Sequence, residues 1–463
     1  MMRSLFSAVS GLKTHQTRMD VIGNNIANVN TEAFKASSVR FTELMYQNLS
    51  SASLGNGATG TGGVNAKQVG LGVNTGSTKI NITSSGSSET TGDPFDLRLT
   101  DSQTTNFFVV SDGTNTMFTR AGSFYVDGNG YLCMISTGYT VQGWQAVEQE
   151  DPVTHTITKE IVKDTVSPLQ VMSPENKTSS PESTTKAYVH GVLDKEDTNL
   201  TGANGYVMSV GIYDNLGYSY TAKFAVKPVT GQAGQYTVTL SEIQDSQGSK
   251  IYPPATGTAP NLWNNNTTGY TVTYDTAKGT FKGIGTSNTA TDKSQKLLLS
   301  NLGGNFSDVD VDFSASMNYA SDSGQSSLKI DRGDANGDGT GKKLGALIGI
   351  KIDNTGLITG SYDNGNTEIL GQIAVAQFAN ASGLEKVGSN CYKTTLNSGE
   401  FDGIGVAVNA DGSKIESGEL EMSNVDLSGQ FTDMIVTQRG FQANSRVITV
   451  SDTLLEELIN LKR

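Results

Sequence analysis

The stretch Asn24–Lys35, NNIANVNTEAFK, follows a run with helical periodicity and interrupts it with four asparagines, Asn24, Asn25, Asn28 and Asn30. Asparagine is a poor helix former but a good cap and turn residue, because its amide replaces missing backbone partners and its backbone tolerates left-handed geometry. The cluster therefore predicts the end of a terminal helix, or a bend in it, directing the chain outward. Its amides are placed either to bond a neighbouring subunit or to form a simple polar turn. Upstream, Leu5, Leu12, Met19 and Ile26 recur every seven residues, with Met2 and Val9 in companion positions. At the far end Leu427, Met434, Phe441, Ile448 and Leu455 are again seven apart, with Phe431 and Ile459 in companion slots. Such spacing is the seam of a coiled coil more than a broad globular face.

Both seams are thin, broken by Gln16 and Gly23 in one and by Gln438, Ser445 and Asp452 in the other. Ordering a residue costs roughly 1–2 kcal/mol of backbone entropy, while a fully buried apolar side chain returns about 1.5–3 kcal/mol. The ends are thus expected to be largely disordered in a monomer and to fold when many copies bundle them. Repeated, such a heterologous contact gives a ring or an open helical tube.

Between the ends the chain changes character. At 463 residues it is too long for one ordinary core, and 53 glycines with 36% hydrophobic residues point to short strands and many turns. Residues 41–75, rich in Gly, Ser and Asn, read as a flexible connector. The meander NFFVVSDGTNTMFTRAGSFYVDGNGYL, Asn106 to Leu132, has hairpin turns at Asp112-Gly113, Asp127-Gly128 and Asn129-Gly130. Further on, Tyr206, Met208, Val210 and Ile212 alternate, and after the turn DNLG so do Tyr218, Tyr220, Ala222, Phe224 and Val226. The expected fold class is α+β, mainly β, with antiparallel β domains nested between N- and C-terminal coiled-coil helices. Its parts are a helical polymerisation domain (1–40 and 420–463), a discontinuous first β domain (76–145 and 312–412) and an inserted outer β domain (146–311).

Chemistry is sparse. His15, His155 and His190 stand apart, no GxSxG elbow occurs, and no catalytic, cofactor or metal site is assigned. The segment DANGDG places Asp334, Asn336, Asp338 and Gly339 as in the first half of an EF-hand loop, but the twelfth position is Gly345 instead of a bidentate Glu. A plain turn is the expected reading. Cys133 and Cys391 make no CxxC pair and are read as buried thiols. The net charge of −13 argues against a nucleic-acid partner, and no apolar run is long enough for membrane insertion. The N-terminus lacks a cleavable signal, so export needs another route.

These residues resemble a known family. NNIANVNTEAFK is similar to the N-terminal fingerprint of bacterial flagellar rod and hook proteins, and SNVDLSGQFTDMIVTQRGFQANSRVITVSDTLLEELINLKR, from Ser423 onward, to their shared C-terminal helix. FFVVSDGTNTMFTRAGSFYVDGNGYL resembles the family's common β domain, and IYDNLGYSYTAKFAV its inserted domain. The family usually has Gly where Ala33 precedes Phe34, which implies that this backbone needs no positive φ here. The inserted block favours the hook branch over a distal rod or hook-filament junction sibling; a calcium-stabilised secreted adhesin leaves both heptad ends unexplained. The resemblance implies an extracellular, curved tubular homopolymer of the flagellum hook and basal body that transmits torque from rod to filament. It also implies export through the flagellar type III apparatus without a cleaved signal peptide, and contacts with the distal rod, hook cap and junction proteins. Arg439 is read as a solvated residue at the seam edge, or as a partner for an acidic neighbour across subunits.

Overall fold

The computed structural model describes residues 2–55, 60–150, 157–254, 260–263, 269–285, 292–322 and 324–461. The chain is mainly β, with one long helix at each end: α1, Met2–Ala27, and α2, Leu427–Asn460. It divides into two compact units, the first Met1–Ser173, Ile350–Gly360 and Glu368–Arg463, the second Pro174–Gly349 and Ser361–Thr367. These bounds depart from the expected insertion at 146–311, for reasons of pairing. Strand Thr140–Glu150 runs through position 146 and pairs with Ile157–Ile161, keeping both in the first unit. Strand Val309–Met317 crosses position 311 and pairs with Lys186–Val192, keeping both in the second.

In the first unit the run NFFVVS forms the central strand, Asn106–Ser111, which pairs with Thr116–Thr119, Thr140–Glu150 and Thr367–Gln377. Its continuous apolar character suits a strand buried on both faces. Phe108 and Val110 join a core with Leu97, Phe124, Leu132 and Ile373, while Phe107 and Val109 join another with Ile82, Phe118 and Tyr392. The chain leading to α2 is stitched back onto this unit: Lys414–Ser417 pairs with Leu97–Thr100, and Glu419–Glu421 with Ser88–Thr90. Packing there is close enough to demand glycine at two places. A Cβ at Gly122 would lie 1.7 Å from the Leu97 carbonyl oxygen, and one at Gly86 would lie 1.8 Å from that of Met422.

Within 41–75, read as a connector, described residues contribute to two short two-stranded sheets. Ser37–Glu43 pairs antiparallel with Val73–Ile80, and Tyr46–Ser50 with Lys67–Gly70. Alternation there is short and its faces are both largely polar, so the strand signal is weak in sequence.

The second unit holds an antiparallel sheet of Tyr206–Tyr213, Ser219–Pro228, Gln235–Asp245, Lys250–Tyr252, Tyr270–Tyr274 and Phe281–Ile284. A four-stranded sheet, ordered Ser294–Leu297, Val309–Met317, Lys186–Val192 and Lys329–Arg332, includes one parallel pair. Both sheets feed one core, in which Met208, Val210, Ile212, Ala222, Phe224 and Val226 meet Val189, Val311 and Phe313. Tyr218 departs from the expected alternation: it is 65% exposed because its carbonyl closes the preceding turn by accepting from the Asp214 N–H.

That turn belongs to a recurring form. In DGNG, DNLG, DSQG, DANG and DNTG, beginning at Asp127, Asp214, Asp245, Asp334 and Asp353, one carboxylate oxygen accepts the backbone N–H groups two and four residues on. The fourth residue, Gly in every case, has φ between 78° and 91°. The side chain closes the turn and glycine supplies the left-handed corner.

Candidate polymerisation surface

Helices α1 and α2 lie antiparallel within the first unit. Arg18 bonds Asp433 at 2.9 Å and the Asn25 amide donates to the Gln430 carbonyl oxygen at 3.0 Å. A Cβ on Gly11 would meet the Asn444 amide at 2.8 Å, and one on Gly440 the His15 ring at 2.6 Å. The face of α1 that is buried is Ala8, Gly11, Thr14, Ile22 and Asn25; on α2 it is Thr437 and Ser451. The most buried residues of the pair in the single chain are thus small or polar, Ile22 apart, and not the heptad leucines. His15 stacks edge-on to Phe41 of strand Ser37–Glu43, with centroids 5.4 Å apart, and Ser10 Oγ accepts from the Val73 N–H at 3.2 Å. Burial, then the Arg18 charge, lowers the His15 pKa.

The heptad residues lie elsewhere on the pair. Leu5, Leu12, Met19, Ile26, Met434, Ile448 and Leu455 are half-buried, while Val9, Leu427, Phe431, Phe441 and Ile459 are exposed. Alongside them Phe6, Ile435, Val436, Val447, Val450, Leu454 and Leu458 are also open to solvent. α2 is N-capped by Asp426, whose carboxylate accepts the Ser428 N–H at 3.0 Å.

The asparagine cluster divides by task. Asn25 is 1% exposed and exchanges two bonds with Ser37: its amide donates to the Ser37 carbonyl at 2.8 Å and accepts the Ser37 N–H at 3.0 Å. It thereby ties the helix to strand Ser37–Glu43 as well as to Gln430. Asn28 donates back to the Asn24 carbonyl at 2.8 Å and accepts from the Thr31 hydroxyl, closing the turn, and Asn30 is exposed. Ala33 has φ 52° and is buried, so the expectation that its backbone needs no positive φ is corrected. The left-handed residue turns the chain so that the Ala33 N–H reaches the Glu421 carbonyl at 2.7 Å and Phe34 comes under the Lys386 ammonium, 4.5 Å from the ring centroid.

A buried ionic group joins both chain ends, and no local pattern in the sequence marks it. Lys35 Nζ lies 2.7 Å from Glu421 Oε1, Arg120 lies 3.0 Å from Glu421 Oε2 and 2.7 Å from Asp101, and the first three side chains are 1% exposed. Lys35 also donates to the Ser84 carbonyl, and the Gly86 N–H to Glu421. Burial would raise the Glu421 pKa, but Arg120 and Lys35 outweigh it and hold it low; burial pulls Lys35 down against the opposing pull of Glu421.

Other singled-out residues are committed locally. Asp334 closes its own turn and pairs with Lys186 at 2.9 Å, so its carboxylate is already engaged at the EF-hand-like segment. His190 contacts Asp331 at 2.8 Å, and His155 lies outside the described residues. Cys133 and Cys391 are buried free thiols; burial raises both pKa values, Cys391 to about 11. Arg439 is exposed and donates to Gln442 on its own helix.

Comparison with known proteins places these features. Residues 5–35 match the family described as flagella basal body rod protein, 416–461 the flagellar basal body rod FlgEFG protein C-terminal family, and 103–178 the flagellar hook protein FlgE/F/G D1 domain. An axial structural protein of the bacterial flagellum is thus the class that the paired ends and the intervening β domain define. Over its whole length the chain is 34% identical to flagellar hook protein FlgE of Treponema pallidum and 37% identical to that of Borreliella burgdorferi, covering 100% of both chains in each case. It is 27% identical to flagellar basal-body rod protein FlgG of Bacillus subtilis, again over 100% of both. The chain belongs to the flagellar hook protein family.

Proposed function

We propose that this hook-family subunit polymerises through α1 and α2 into a curved helical tube that carries torque from rod to filament while bending. One observation carries the reading: the residues buried on the two helices are small or polar, Ile22 apart, while Phe6, Phe431, Ile435, Val436 and Val450 stay on the outside. Isolated apolar residues are normal on a surface, but a row along two helices needs a cover, and in a homopolymer the cover is the next copy. In this reading Leu5, Val9, Leu12, Met19 and Ile26, with Leu427, Phe431, Met434, Phe441, Ile448, Leu455 and Ile459, form coiled-coil contacts between copies, and the ends gain full order on assembly. The role is structural, not catalytic. Export through the flagellar type III apparatus, an extracellular site in the hook, and contacts with the distal rod, hook cap and junction proteins follow from the same reading.

The test is electron microscopy of purified protein beside its circular dichroism. Exchanging Phe431 and Ile435 for Ser removes two apolar anchors, each worth about 1.5–3 kcal/mol when buried. The variant is expected to keep its β spectrum and to form no tubes at concentrations where the wild type does; tubes of normal yield would defeat the reading. Immunogold labelling against the second unit separates the hook from a rod position, since gold is expected only between basal body and filament.

A further inference from the structure

We propose that the buried Lys35–Glu421–Arg120 group is an interlock, through which the N-terminal segment docks onto the β unit only when the C-terminal strand has docked too. Three stretches far apart in sequence meet there: 33–36, 84–88 and 421–424. Backbone and amide bonds run from 421–424 to each of the other two, and the Lys35 ammonium joins those two through the Ser84 carbonyl. The Ala33 N–H donates to the Glu421 carbonyl, the Ala36 N–H to Asn424 Oδ1 at 2.8 Å, the Met422 N–H to the Ser87 carbonyl at 2.8 Å, and Asn424 Nδ2 to the Ser84 carbonyl at 3.0 Å. Such bonds alone would let each segment settle independently. The charges do not.

The group is neutral as a whole: two cations, Lys35 and Arg120, face two anions, Glu421 and Asp101. Glu421 sits between the cations, one on each oxygen. If the C-terminal strand leaves, Lys35 and Arg120 remain buried together with only Asp101, which is itself 20% exposed at its side chain. A buried charge without its partner is strongly unfavourable, so Lys35 must leave as well, taking with it the turn that ends α1. Arg120 stays satisfied, because it also donates to the Asn106 and Leu99 carbonyls. The two helices, α1 ending shortly before Lys35 and α2 starting shortly after Glu421, are therefore presented as a pair or released as a pair. A chain with one end bound and the other free is the species most prone to premature association, and the interlock removes it.

The arithmetic of charge makes the test directional. In full-length monomer, Glu421→Gln leaves two buried cations against one anion, whereas adding Lys35→Met to it restores one cation against one anion. We expect amide hydrogen exchange at residues 33–37 to speed up by about tenfold or more in Glu421→Gln, with Lys35→Met slowing it again in that background though speeding it in the wild-type background. Glu416→Gln, on the half-buried pair with Arg98 in the same C-terminal stretch, is the control and should leave residues 33–37 unchanged. If Glu421→Gln does not fold, recovery of a folded chain by the double variant carries the same meaning. Unaltered exchange at 33–37 in Glu421→Gln, or a Lys35→Met effect of the same sign in both backgrounds, or a double variant no more folded than the single one, would overturn the interlock.

Discussion

Two residues of the opening stretch carry opposite lessons. Asn25 looks like one of four equivalent turn formers, yet it alone is buried and bonds both the Ser37 backbone and Gln430. Replacing it with Ala leaves the Ser37 carbonyl and N–H without those partners in a half-buried place, a loss of about 1–3 kcal/mol. Asn30→Ala, on the surface, should stay within about 0.5 kcal/mol. Urea denaturation of the two variants distinguishes them, and equal midpoints would mean that Asn25 is only a turn. Ala33 was expected to have ordinary φ because it carries a side chain, and it does not. Left-handed geometry costs a non-glycine residue roughly 1–2 kcal/mol, while its buried methyl contributes about 0.8 kcal/mol. Ala33→Gly should therefore be neutral or stabilising by up to about 1 kcal/mol. Ala374→Gly, in a buried strand at extended geometry, should cost about 1–2 kcal/mol. The alanine in place of the family's usual glycine points to an ordinary φ, and that reading fails because the backbone angle is set by where the Glu421 carbonyl waits, 388 residues away in the chain.

At the scale of elements, helix existence was legible and the choice of face was not. Heptads announce an apolar seam, but the residues buried in the single chain are Ala8, Gly11, Thr14, Ile22 and Asn25 on α1 and Thr437 and Ser451 on α2, a set in which Ile22 is the one large apolar side chain. Gly11 lies directly against the Asn444 amide, so Gly11→Leu should force the helices apart at a cost of about 1–3 kcal/mol; loss of protection along α1 in hydrogen exchange, with strands of the second unit unaffected, is the expected record. The aspartate turns make a second prediction. Hydrogen bonds from the Lys186 ammonium and then the Asp338 N–H hold the Asp334 carboxyl below its usual range; at Asp275 the Ala277 and Lys278 N–H groups do so. Asp194, Asp197, Asp308 and Asp363 are also lowered. A carboxylate whose folded pKa is depressed adds stability that is complete above its unfolded value, near 3.8, and is lost as pH falls through the folded value. The second unit should accordingly hold a flat stability from pH 7 to about 4 and then lose it steeply, with Asp334→Asn lowering the plateau and softening the fall. Asp411 in the first unit behaves alike: burial opposes ionisation, but Thr104, Ser413 and Asn106 outweigh it and bring the pKa to about 2.

At the scale of the molecule, the borders of the two compact units depend on pairings that no local pattern encodes. Strands 140–150 and 309–317 cross the expected borders because their partners lie in the same unit, a fact visible only once Ile157–Ile161 and Lys186–Val192 are in place. Two compact units predict two unfolding events, and the chain happens to carry one tryptophan reporter in each. Its two tryptophans are Trp144, 2% exposed in the first unit and donating its indole N–H to the Asp164 carbonyl at 2.7 Å, and Trp263, 5% exposed in the second beside Tyr270 and Phe224. Trp144→Phe leaves fluorescence that follows the second core, and Trp263→Phe leaves fluorescence that follows the first. In urea the two curves should be displaced from one another, each with a slope smaller than a chain of 463 residues would show as one cooperative body. Adding Glu421→Gln should then move only the Trp144 curve, because the ionic group belongs wholly to the first unit. Superimposed curves that shift together would mean that folding couples the units into one, and that loss of the interlock is felt throughout the chain.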